Sequence, residues 1–416
     1  MNSFNDWLHK IQGLTSRKIK PDLNKVKSIL SELCKFSPNT KIIVVTGTNG
    51  KGTTIELITQ MLLKNKKKVG TYTSPHLFHF CERIRVNGQK VSEGEIVEEL
   101  ELINKRRGIH CLTFFEYSTL AALSLFSKKN LDYLILEVGI GGRLDTVNIM
   151  DADISVVTNI DLDHQKWLGK DLESIGREKS GIFRKNKPVI LGPNMPSSIL
   201  QRADELCCPK YILNKEFSIR QEENCVEYQN NLTKKSSSFS LPANYIYLDN
   251  LSIAINVLEI LNEDLDLNLE EIAQLSKLHG RCEIFEERYL MDVSHNPASV
   301  LFLRQYLDKA SIKNRKVYAV LGAGEEKDVK GMIDNLKGRV SEWYIAEPKM
   351  ESPFKKEEIS DLLKKLDEKF TLSNDISEAF HKADSQANES SIVLVFGSFY
   401  TVSEAYLHIQ QQKEIA

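Results

Sequence analysis

The sequence lacks the features of several protein classes. Lys and Arg total 55 residues against 57 Asp and Glu, which leaves a formal net charge of −2 and no positive excess to attract nucleic acid or an anionic membrane. No apolar run approaches the roughly 18 residues that span a bilayer. The N-terminus, Met-Asn-Ser-Phe-Asn-Asp-Trp, has no basic stretch followed by an apolar core. We therefore expect a cytoplasmic protein that binds neither nucleic acid nor membrane.

Cysteine is also unpromising as a functional residue. The seven cysteines are an odd number and include no Cys-x-x-Cys pair, which argues against a disulfide framework and a zinc site. Cys207 and Cys208 are adjacent and could be redox-active, but nothing near them supports that function. We expect reduced structural thiols, because free Cys packs as a small hydrophobe.

What the chain does contain is an alternation of apolar, β-branched runs with segments of helical periodicity. This pattern predicts an α/β protein with parallel sheets and crossover helices, and 416 residues predict two domains, with a boundary near residue 280. The predicted strands are 42–46, 133–138, 154–159, 188–191, 289–293, 316–321, 343–346 and 392–396. The predicted helices include 250–261, 299–309, 355–369 and 400–412, and residues 230–238 are predicted to be a hairpin tip or loop.

A glycine-rich loop, Gly47-Thr-Asn-Gly-Lys-Gly-Thr53, follows the first predicted strand and precedes a helical segment. Backbone N–H groups and the helix dipole at such a helix start favour phosphate. Lys51 is suited to the β- and γ-phosphates of ATP, and the Thr53 hydroxyl is suited to Mg²⁺. The spacing departs from the general consensus, and the alternative is a plain strand-to-helix turn. The predicted ATP-binding residues here are Asn49, Gly50, Lys51, Gly52 and Thr53.

Glu137 ends an apolar strand, Leu134-Ile-Leu-Glu137, and is the best candidate for holding the metal of a nucleotide site. A carboxylate in so apolar a run is costly unless it meets a cation or hydrogen-bond donors. The alternative is a strand-end residue that faces water.

Further motifs follow the loop in a fixed order. They are Ser74-Pro-His-Leu77, Thr113-Phe-Phe-Glu116, Glu137-Val-Gly-Ile-Gly-Gly-Arg-Leu-Asp145-Thr-Val-Asn148, Asp161-Leu-Asp-His164, Glu178-Lys-Ser-Gly-Ile182, Gly280-Arg281, Asp292-Val-Ser-His-Asn-Pro297 and Gly397-Ser-Phe-Tyr-Thr401. Together with the loop, they resemble the folylpolyglutamate synthase/dihydrofolate synthase family of the Mur ligase superfamily over nearly the whole chain. The resemblance implies a P-loop, parallel-sheet ATP-binding domain with the pterin site over 1–280, and a smaller Rossmann-like domain of the glutamate ligase type over 281–416.

The resemblance implies ATP-dependent amide formation, in which a substrate carboxylate takes the γ-phosphoryl group and the amine of L-glutamate attacks the acyl phosphate. A carboxylate anion is a poor electrophile, so phosphorylation has to come first. The implied substrates are ATP, L-glutamate and either 7,8-dihydropteroate or tetrahydrofolate and its polyglutamates. The alternative is activity as a folylpolyglutamate synthase only. A monomer is implied as well.

The resemblance also assigns residues. Two Mg²⁺ ions are implied, with Thr53, Ser74, Glu137 and His164 as ligands, and Lys179 is implied to be carboxylated to N6-carboxylysine. Lys179, His164 and His295 are the implied catalytic residues. Asn250 is placed on the adenine side, Arg281 on the phosphates and Asp292 on the ribose; because ligands come from both sides of residue 280, domain closure should precede chemistry. The sequence His295-Asn-Pro297 also predicts a plain helix start.

The implied pterin-site residues are Thr113, Phe115, Glu116, Leu144, Asp145 and Thr146. Phe115 is expected to stack on the ring and Asp145 to hydrogen-bond with it. The sequence departs from the family at Lys20-Pro21, where a Gly/Leu-containing loop usually covers the pterin, and at Ser294, where Ala is more usual.

Three other functions share part of this sequence pattern. A cell-wall Mur ligase normally has a UDP-sugar domain before its phosphate loop, and only 46 residues precede Gly47. A regulator that binds ATP without forming an amide would not need His164, Lys179, Asp292 and His295 together. An oxidoreductase based on Gly322-Ala-Gly324 is excluded, because Lys327 stands where the third glycine of the dinucleotide motif belongs.

Overall fold

The computed structural model describes residues 3–13, 22–241, 246–265, 268–309 and 312–415. They form two compact units. The first comprises Met1–Asp161 and Leu168–Ser276, and the second comprises Leu162–Trp167 and Lys277–Ala416. The short segment Leu162–Trp167 therefore belongs to the second unit. Lys20-Pro21, where the sequence departs from the family, lies outside the described residues.

The first unit is built on a mainly parallel sheet. Its strands, within the described ranges, are β1 (Lys41–Thr46), β2 (Val69–Tyr72), β3 (Ile84–Val86), β4 (Gln89–Lys90), β5 (Tyr133–Glu137), β6 (Ile154–Val157), β7 (Val189–Leu191) and β8 (Lys210–Ile212). Their order is β4-β3-β2-β5-β1-β6-β7-β8; the β2–β3 and β3–β4 pairs are antiparallel, and the other pairs are parallel. The chain leaves β1 toward β2 on one side, while β6 pairs with β1 on the other. Such a change of direction opens a crevice at the carboxyl ends of the central strands.

A small antiparallel sheet follows, made of β9 (Phe217–Glu222), β10 (Cys225–Asn230) and β11 (Lys235–Ser240). The prediction of a tip or loop over 230–238 was wrong for its second half, because Lys235–Ser240 pairs residue by residue with Cys225–Asn230. The serine-rich strand lies at an exposed sheet edge, where polar side chains are tolerated and give no apolar signal.

Helices cover the main sheet on both faces. The helices in the described part of the first unit are α1 (Phe4–Gln12), α2 (Leu23–Leu33), α3 (Lys51–Lys64), α4 (Glu93–Arg106), α5 (Phe114–Ser127), α7 (Leu172–Lys179), α8 (Ser197–Glu205), α9 (Leu248–Ile260) and α10 (Leu269–Leu275), whereas the short helix α6 (Gln165–Leu168) begins in the second unit. Alternate residues of β1 point to opposite faces: Ile43 and Val45 pack in the core with α3 and α9, whereas Val44 packs in the core with α2, α4 and α5.

The second unit has its own sheet. Its strands are β12 (Glu283–Phe285), β13 (Tyr289–Met291), β14 (Lys316–Leu321), β15 (Glu342–Ile345), β16 (Phe370–Leu372) and β17 (Ser391–Phe396), in the order β12-β13-β17-β14-β15-β16. All pairs except β12 with β13 are parallel. Its remaining helices are α11 (Pro297–Lys309), α12 (Val329–Leu336), α13 (Lys356–Lys365), α14 (Ile376–Gln386) and α15 (Phe399–Ile415).

The structure confirms the predicted α/β class and corrects one helix. The helix predicted over 355–369 ends at Lys365, because Asp367 adopts a positive φ of 57°, and the chain then enters β16. Within the described residues, no helix has the length and apolar character needed to cross a membrane.

Candidate active site

The glycine-rich loop, Gly47–Thr53, is called the phosphate loop below and is held in place by residues that follow β6. Gly47 has a φ of +151°, and a Cβ there would overlap the Thr158 hydroxyl. That hydroxyl donates to the Asn49 carbonyl over 2.6 Å, and the Asn159 side-chain oxygen accepts from the Asn49 N–H at 2.8 Å. The Thr48 N–H donates to the Asn159 carbonyl at 3.0 Å. The loop conformation therefore depends on a strand more than a hundred residues away in sequence.

Two lysines meet at this loop. Lys51 Nζ donates to the carbonyls of Gly47 and Thr48 over 3.1 and 3.3 Å. Lys179, the last residue of α7, is only 4% exposed, and its Nζ donates to the same Gly47 carbonyl over 2.8 Å. The structure thus brings together two predicted site residues that are far apart in sequence, and concentrates positive charge where a helix begins.

The helix start itself is fixed by Asn250. Gly50 precedes α3 with a left-handed φ of 78°, and Gly52 and the buried Thr53 lie in the first turn of the helix. The Asn250 amide, from α9, donates to the Gly50 carbonyl at 3.1 Å and to the Thr54 hydroxyl at 2.9 Å. Asn250 therefore touches the phosphate loop itself; its predicted adenine contact stays a prediction.

Glu137 and Ser74 lie side by side because β5 and β2 are neighbouring parallel strands. Glu137 is 4% exposed, and its Oε2 accepts from the Ser74 N–H at 2.9 Å. The Ser74–Pro75 peptide bond is cis. Two of the predicted metal ligands are therefore adjacent at the carboxyl edge of the sheet.

Phe115 and Asp145 both lie close to Gly139. A Cβ on Gly139 would lie 2.8 Å from the Phe115 ring and 3.3 Å from Asp145 Oδ2. The Asp145 carboxylate accepts from the N–H groups of Gly139, Ile140 and Val147 at 2.9–3.1 Å. Burial raises the pKa of Asp145 to about 6, although these three donors oppose the shift. The predicted aromatic and acidic residues thus both lie next to Gly139.

The other predicted pterin-site residues have different surroundings. Thr113 and Glu116 form a capping box at the start of α5, and buried Glu116 also pairs with Lys25 Nζ at 3.1 Å. Leu144 is 46% exposed, whereas Thr146 is buried in the first turn of a 3₁₀ helix, Thr146–Ile149. Thr113 and Glu116 therefore have a structural role, and their predicted substrate contacts stay predictions.

In the second unit, His164 adopts a positive φ of 50°. It directly follows Asp163, whose carboxylate has several partners. Asp163 Oδ1 lies 2.7 Å from Lys327 Nζ and accepts from the His164 N–H at 2.8 Å. Asp163 Oδ2 accepts from the Asn296 amide at 3.0 Å and lies 3.4 Å from His295 Nε2. Burial alone would raise the pKa of Asp163, but the hydrogen bond from His295 and the charge of Lys327 outweigh it and hold that pKa well below its usual range.

The predicted nucleotide ligands of this unit gather at the carboxyl ends of β13 and β17. Asp292 follows β13, and its carboxylate accepts from the N–H groups of Cys282 and Ser294 at 2.7 and 2.8 Å and from the Ser294 hydroxyl. The Arg281 guanidinium lies 5.2 Å from the centre of the Phe399 ring, and the His295 ring lies 6.4 Å from it. The helix α11 begins at Pro297, as predicted.

Comparison with known proteins decides the family. The model of the Mur ligase middle domain matches residues 45–258, and that of the Mur ligase glutamate ligase domain matches residues 280–399. A dihydrofolate synthase/folylpolyglutamate synthase of Buchnera aphidicola is 37% identical, covering 97% of this chain and 96% of its own. The chain belongs to the dihydrofolate synthase/folylpolyglutamate synthase family of Mur ligases.

Solved structures agree with this membership. Escherichia coli FolC in complex with DHPP and ADP has a TM-score of 0.90 and 35% identity, covering 99% of both chains. A bifunctional folylpolyglutamate synthase/dihydrofolate synthase with Mn, AMPPNP and L-glutamate bound has a TM-score of 0.88 and 36% identity, covering 99% of this chain and 98% of its own. The predicted family, fold and enzyme class, an ATP-dependent ligase, are confirmed.

A related bifunctional synthase has been solved with Mn bound, and the residues at the β2 and β5 ends of this chain suit a divalent metal. The buried Glu137 carboxylate and the adjacent Ser74 offer oxygen, the donor that Mg²⁺ prefers, and Thr53 offers a hydroxyl on the first turn of α3. No group of three or more His, Cys, Asp or Glu able to hold a metal occurs in the part of the chain that the structure describes.

Sequence reasoning missed several residues of this synthase site. Thr158 and Asn159 were assigned to a strand, although polar residues directly after an apolar run signal the carboxyl edge. Phe399 lies in the motif Gly397-Ser-Phe-Tyr-Thr401, but the sequence predicts no role for its side chain. Asp163 lies in the motif Asp161-Leu-Asp-His164, but the sequence gives no sign that Lys327, its partner at Oδ1, lies nearby. Only the folded chain brings these two together.

Proposed function

We propose that this chain joins L-glutamate to 7,8-dihydropteroate and to tetrahydrofolate or its polyglutamates, at the cost of ATP. The observation that carries the proposal is the convergence of Lys51 and Lys179 on the Gly47 carbonyl, at the start of α3, in a chain of this family. Relatives of the chain hold ADP, a non-hydrolysable ATP analogue, manganese and L-glutamate, which supports a nucleotide, a divalent metal and an amino acid as its ligands.

The reaction has two steps. An oxygen of the substrate carboxylate attacks the γ-phosphorus, the bond to the β-phosphate oxygen breaks, and ADP leaves. The amine of L-glutamate then attacks the acyl carbon, loses a proton, and expels phosphate as the amide forms. Charge neutralisation and positioning are the main demands of the first step.

The chain's own residues meet these demands in separate places. The N–H groups at the start of α3 and the Lys51 ammonium are suited to hold the phosphates, and Arg281, Asp292 and His295 are proposed to hold the rest of the nucleotide and the transferring phosphate. Thr53, Ser74, Glu137 and His164 are the proposed ligands of two Mg²⁺ ions, which would neutralise charge on the phosphates when bound. Phe115 and Asp145 are proposed to hold the pterin ring, with Leu144 as a neighbouring apolar contact.

We propose in addition that Lys179 is carboxylated. The neutral amine adds to the carbon of CO₂ and loses a proton, which gives an N-carboxylate anion beside the glycine-rich loop. Lys179→Ala is expected to lose most ligase activity, and short carboxylic acids are expected to restore part of it because they replace the missing anion. The exposed Lys185→Ala is the control and should keep full activity. Unchanged activity of Lys179→Ala would remove this residue from the mechanism.

The experiment that tests the function measures ADP release with dihydropteroate and with tetrahydrofolate, each with and without L-glutamate. ADP release that needs both the pterin acid and glutamate, with either acid, is expected. Release with tetrahydrofolate only would leave a folylpolyglutamate synthase. Turnover indifferent to both would favour a regulatory ATPase. The proposal includes a monomeric, cytoplasmic enzyme, which size-exclusion chromatography and cell fractionation would test.

A further inference from the structure

Asp163 is surrounded by donors within the second unit. Its side chain is 7% exposed, and both oxygens are used: Oδ1 by Lys327 Nζ and the His164 N–H, and Oδ2 by the Asn296 amide, with His295 Nε2 at 3.4 Å. A buried carboxylate is costly without a counter-charge, so this arrangement depends on a cation nearby.

Lys327 supplies that cation. It lies between β14 and α12, its side chain is 15% exposed, and its Nζ is 2.7 Å from Asp163 Oδ1. The nearest lysine along α12, Lys330, has a different environment, because it is 63% exposed and pairs with Asp334 one turn later on the same helix. Lys327 is therefore held in place, whereas Lys330 forms an ordinary surface pair.

The His295 ring is held at both nitrogens. Its Nδ1 lies 2.9 Å from the Val293 carbonyl. Its Nε2 faces Asp163 Oδ2. Contacts at both ring nitrogens fix the orientation of the ring.

We propose that Asp163 and Lys327 are positioning residues for the ligase reaction. Lys327 fixes the Asp163 carboxylate, and Asp163 in turn fixes the His295 ring, the Asn296 amide and the backbone of His164. The inference rests on the proposed function for its kinetic readout, and it adds two residues that the family resemblance did not assign.

The kinetic test uses Lys327→Met, which removes the charge and keeps the length of the side chain, and Lys327→Arg, which keeps the charge. Loss of such an outer partner typically costs 10- to 100-fold, so kcat of Lys327→Met should fall by about that factor while KM for ATP changes less than about threefold. Lys327→Arg should recover most of kcat. Lys330→Met is the matched control and should behave as the parent enzyme.

A double-mutant cycle separates positioning from a general loss of stability. If Lys327 acts through Asp163 and His295, then Lys327→Met should have little further effect in a His295→Ala background. The same fold-loss in both backgrounds, or an unchanged kcat in Lys327→Met, would overturn the proposal. Unfolding midpoints of all variants identify any that fail to fold, and Lys327→Arg then carries the comparison.

A readout independent of activity uses the protein labelled with ¹⁵N-histidine, with His295→Ala to assign the ring signals. Lys327→Met should shift the Nε2 signal of His295, whereas Lys330→Met should not. Identical His295 signals in Lys327→Met and the parent protein would overturn the proposal, whether or not the parent protein forms the amide. Absence of glutamate-dependent ADP release in the parent protein would instead contradict the proposed function.

Discussion

Position 47 requires glycine because the Thr158 hydroxyl occupies the space that a Cβ would need. The same hydroxyl donates to the Asn49 carbonyl, so glycine at 47 and threonine at 158 act together to shape the phosphate loop. The φ of +151° at Gly47 is a second reason for glycine, because other residues rarely adopt it. The motif requires Gly47 for two separate steric reasons.

Gly47→Ala is therefore expected to displace the loop from Thr158 and to lower kcat/KM for ATP by more than about 100-fold, since misplacement by about 1 Å costs that much. Gly94→Ala in α4 is the control, because no atom lies within 4 Å of the added Cβ and φ is not positive. ADP release at varied ATP concentrations measures both. Near-normal kcat/KM in Gly47→Ala would show that the loop tolerates the shift.

His76 is a second residue whose environment makes a prediction. Its Nδ1 accepts from Arg83 Nε at 2.8 Å, and Arg83 is itself buried beside the rings of Phe80 and Phe114. Burial, with Arg83 second, lowers the pKa of His76 from 6.5 to about 4. The folded state therefore binds this proton more weakly than the unfolded chain, so the contribution to stability is present above pH 6.5 and is lost as the pH falls toward 4.

His76→Gln keeps an acceptor and cannot titrate. The free energy of unfolding of the parent protein, relative to this variant, should fall by about 1–2 kcal/mol between pH 7.5 and pH 5. Urea unfolding across that range measures the difference, and His110→Gln, at an exposed position, is the control whose difference should stay constant. A constant difference for His76→Gln would contradict the expected titration.

At the scale of elements, helix α3 is fixed at both ends by side-chain amides. Asn250 of α9 donates to the Gly50 carbonyl and Thr54 hydroxyl at its start, and Asn65 donates to the Asp264 carbonyl at its end. Only the first of these contacts touches the phosphate loop. The helix is therefore held by packing along its length and by polar contacts at its termini.

Asn250→Ala removes two hydrogen bonds, each with a net value of about 1 kcal/mol, and should weaken ATP binding by about tenfold. Calorimetry with ATP and with inorganic tripolyphosphate separates two roles. Equal weakening of both ligands is expected if Asn250 acts through the loop, whereas weakening of ATP alone would show a direct adenine contact instead. Asn65→Ala is the matched control and should bind both ligands normally.

The elements that could be predicted from sequence are those whose signal is local. Apolar runs of β-branched residues predicted β1, β5, β14 and β17 within a residue or two, because those strands are buried on both faces. The serine-rich β11 could not be predicted, because its stability comes from pairing with β10 at an exposed edge. The end of α13 depended on Asp367 taking a left-handed conformation, which no apolar pattern records.

At the scale of the whole molecule, the ordered motifs predicted the family and fold, and the comparisons confirm both. The local sequence predicted the position of Lys51 at the start of α3 and of Glu137 at the end of β5, and their binding roles stay predictions. A contact could not be predicted where its two residues come from distant parts of the sequence. Asp163 and Lys327 are 164 residues apart and form an ion pair only through the fold.

The central claim is that the γ-phosphate of ATP passes to a carboxylate of a pterin acid. The most direct measurement supplies dihydropteroate with ¹⁸O in its carboxylate, together with ATP and L-glutamate, and determines the isotope content of the released phosphate. When both carboxylate oxygens carry ¹⁸O, attack by the carboxylate and expulsion of phosphate by the amine should leave one ¹⁸O atom in each phosphate. Phosphate that contains no ¹⁸O would contradict the claim.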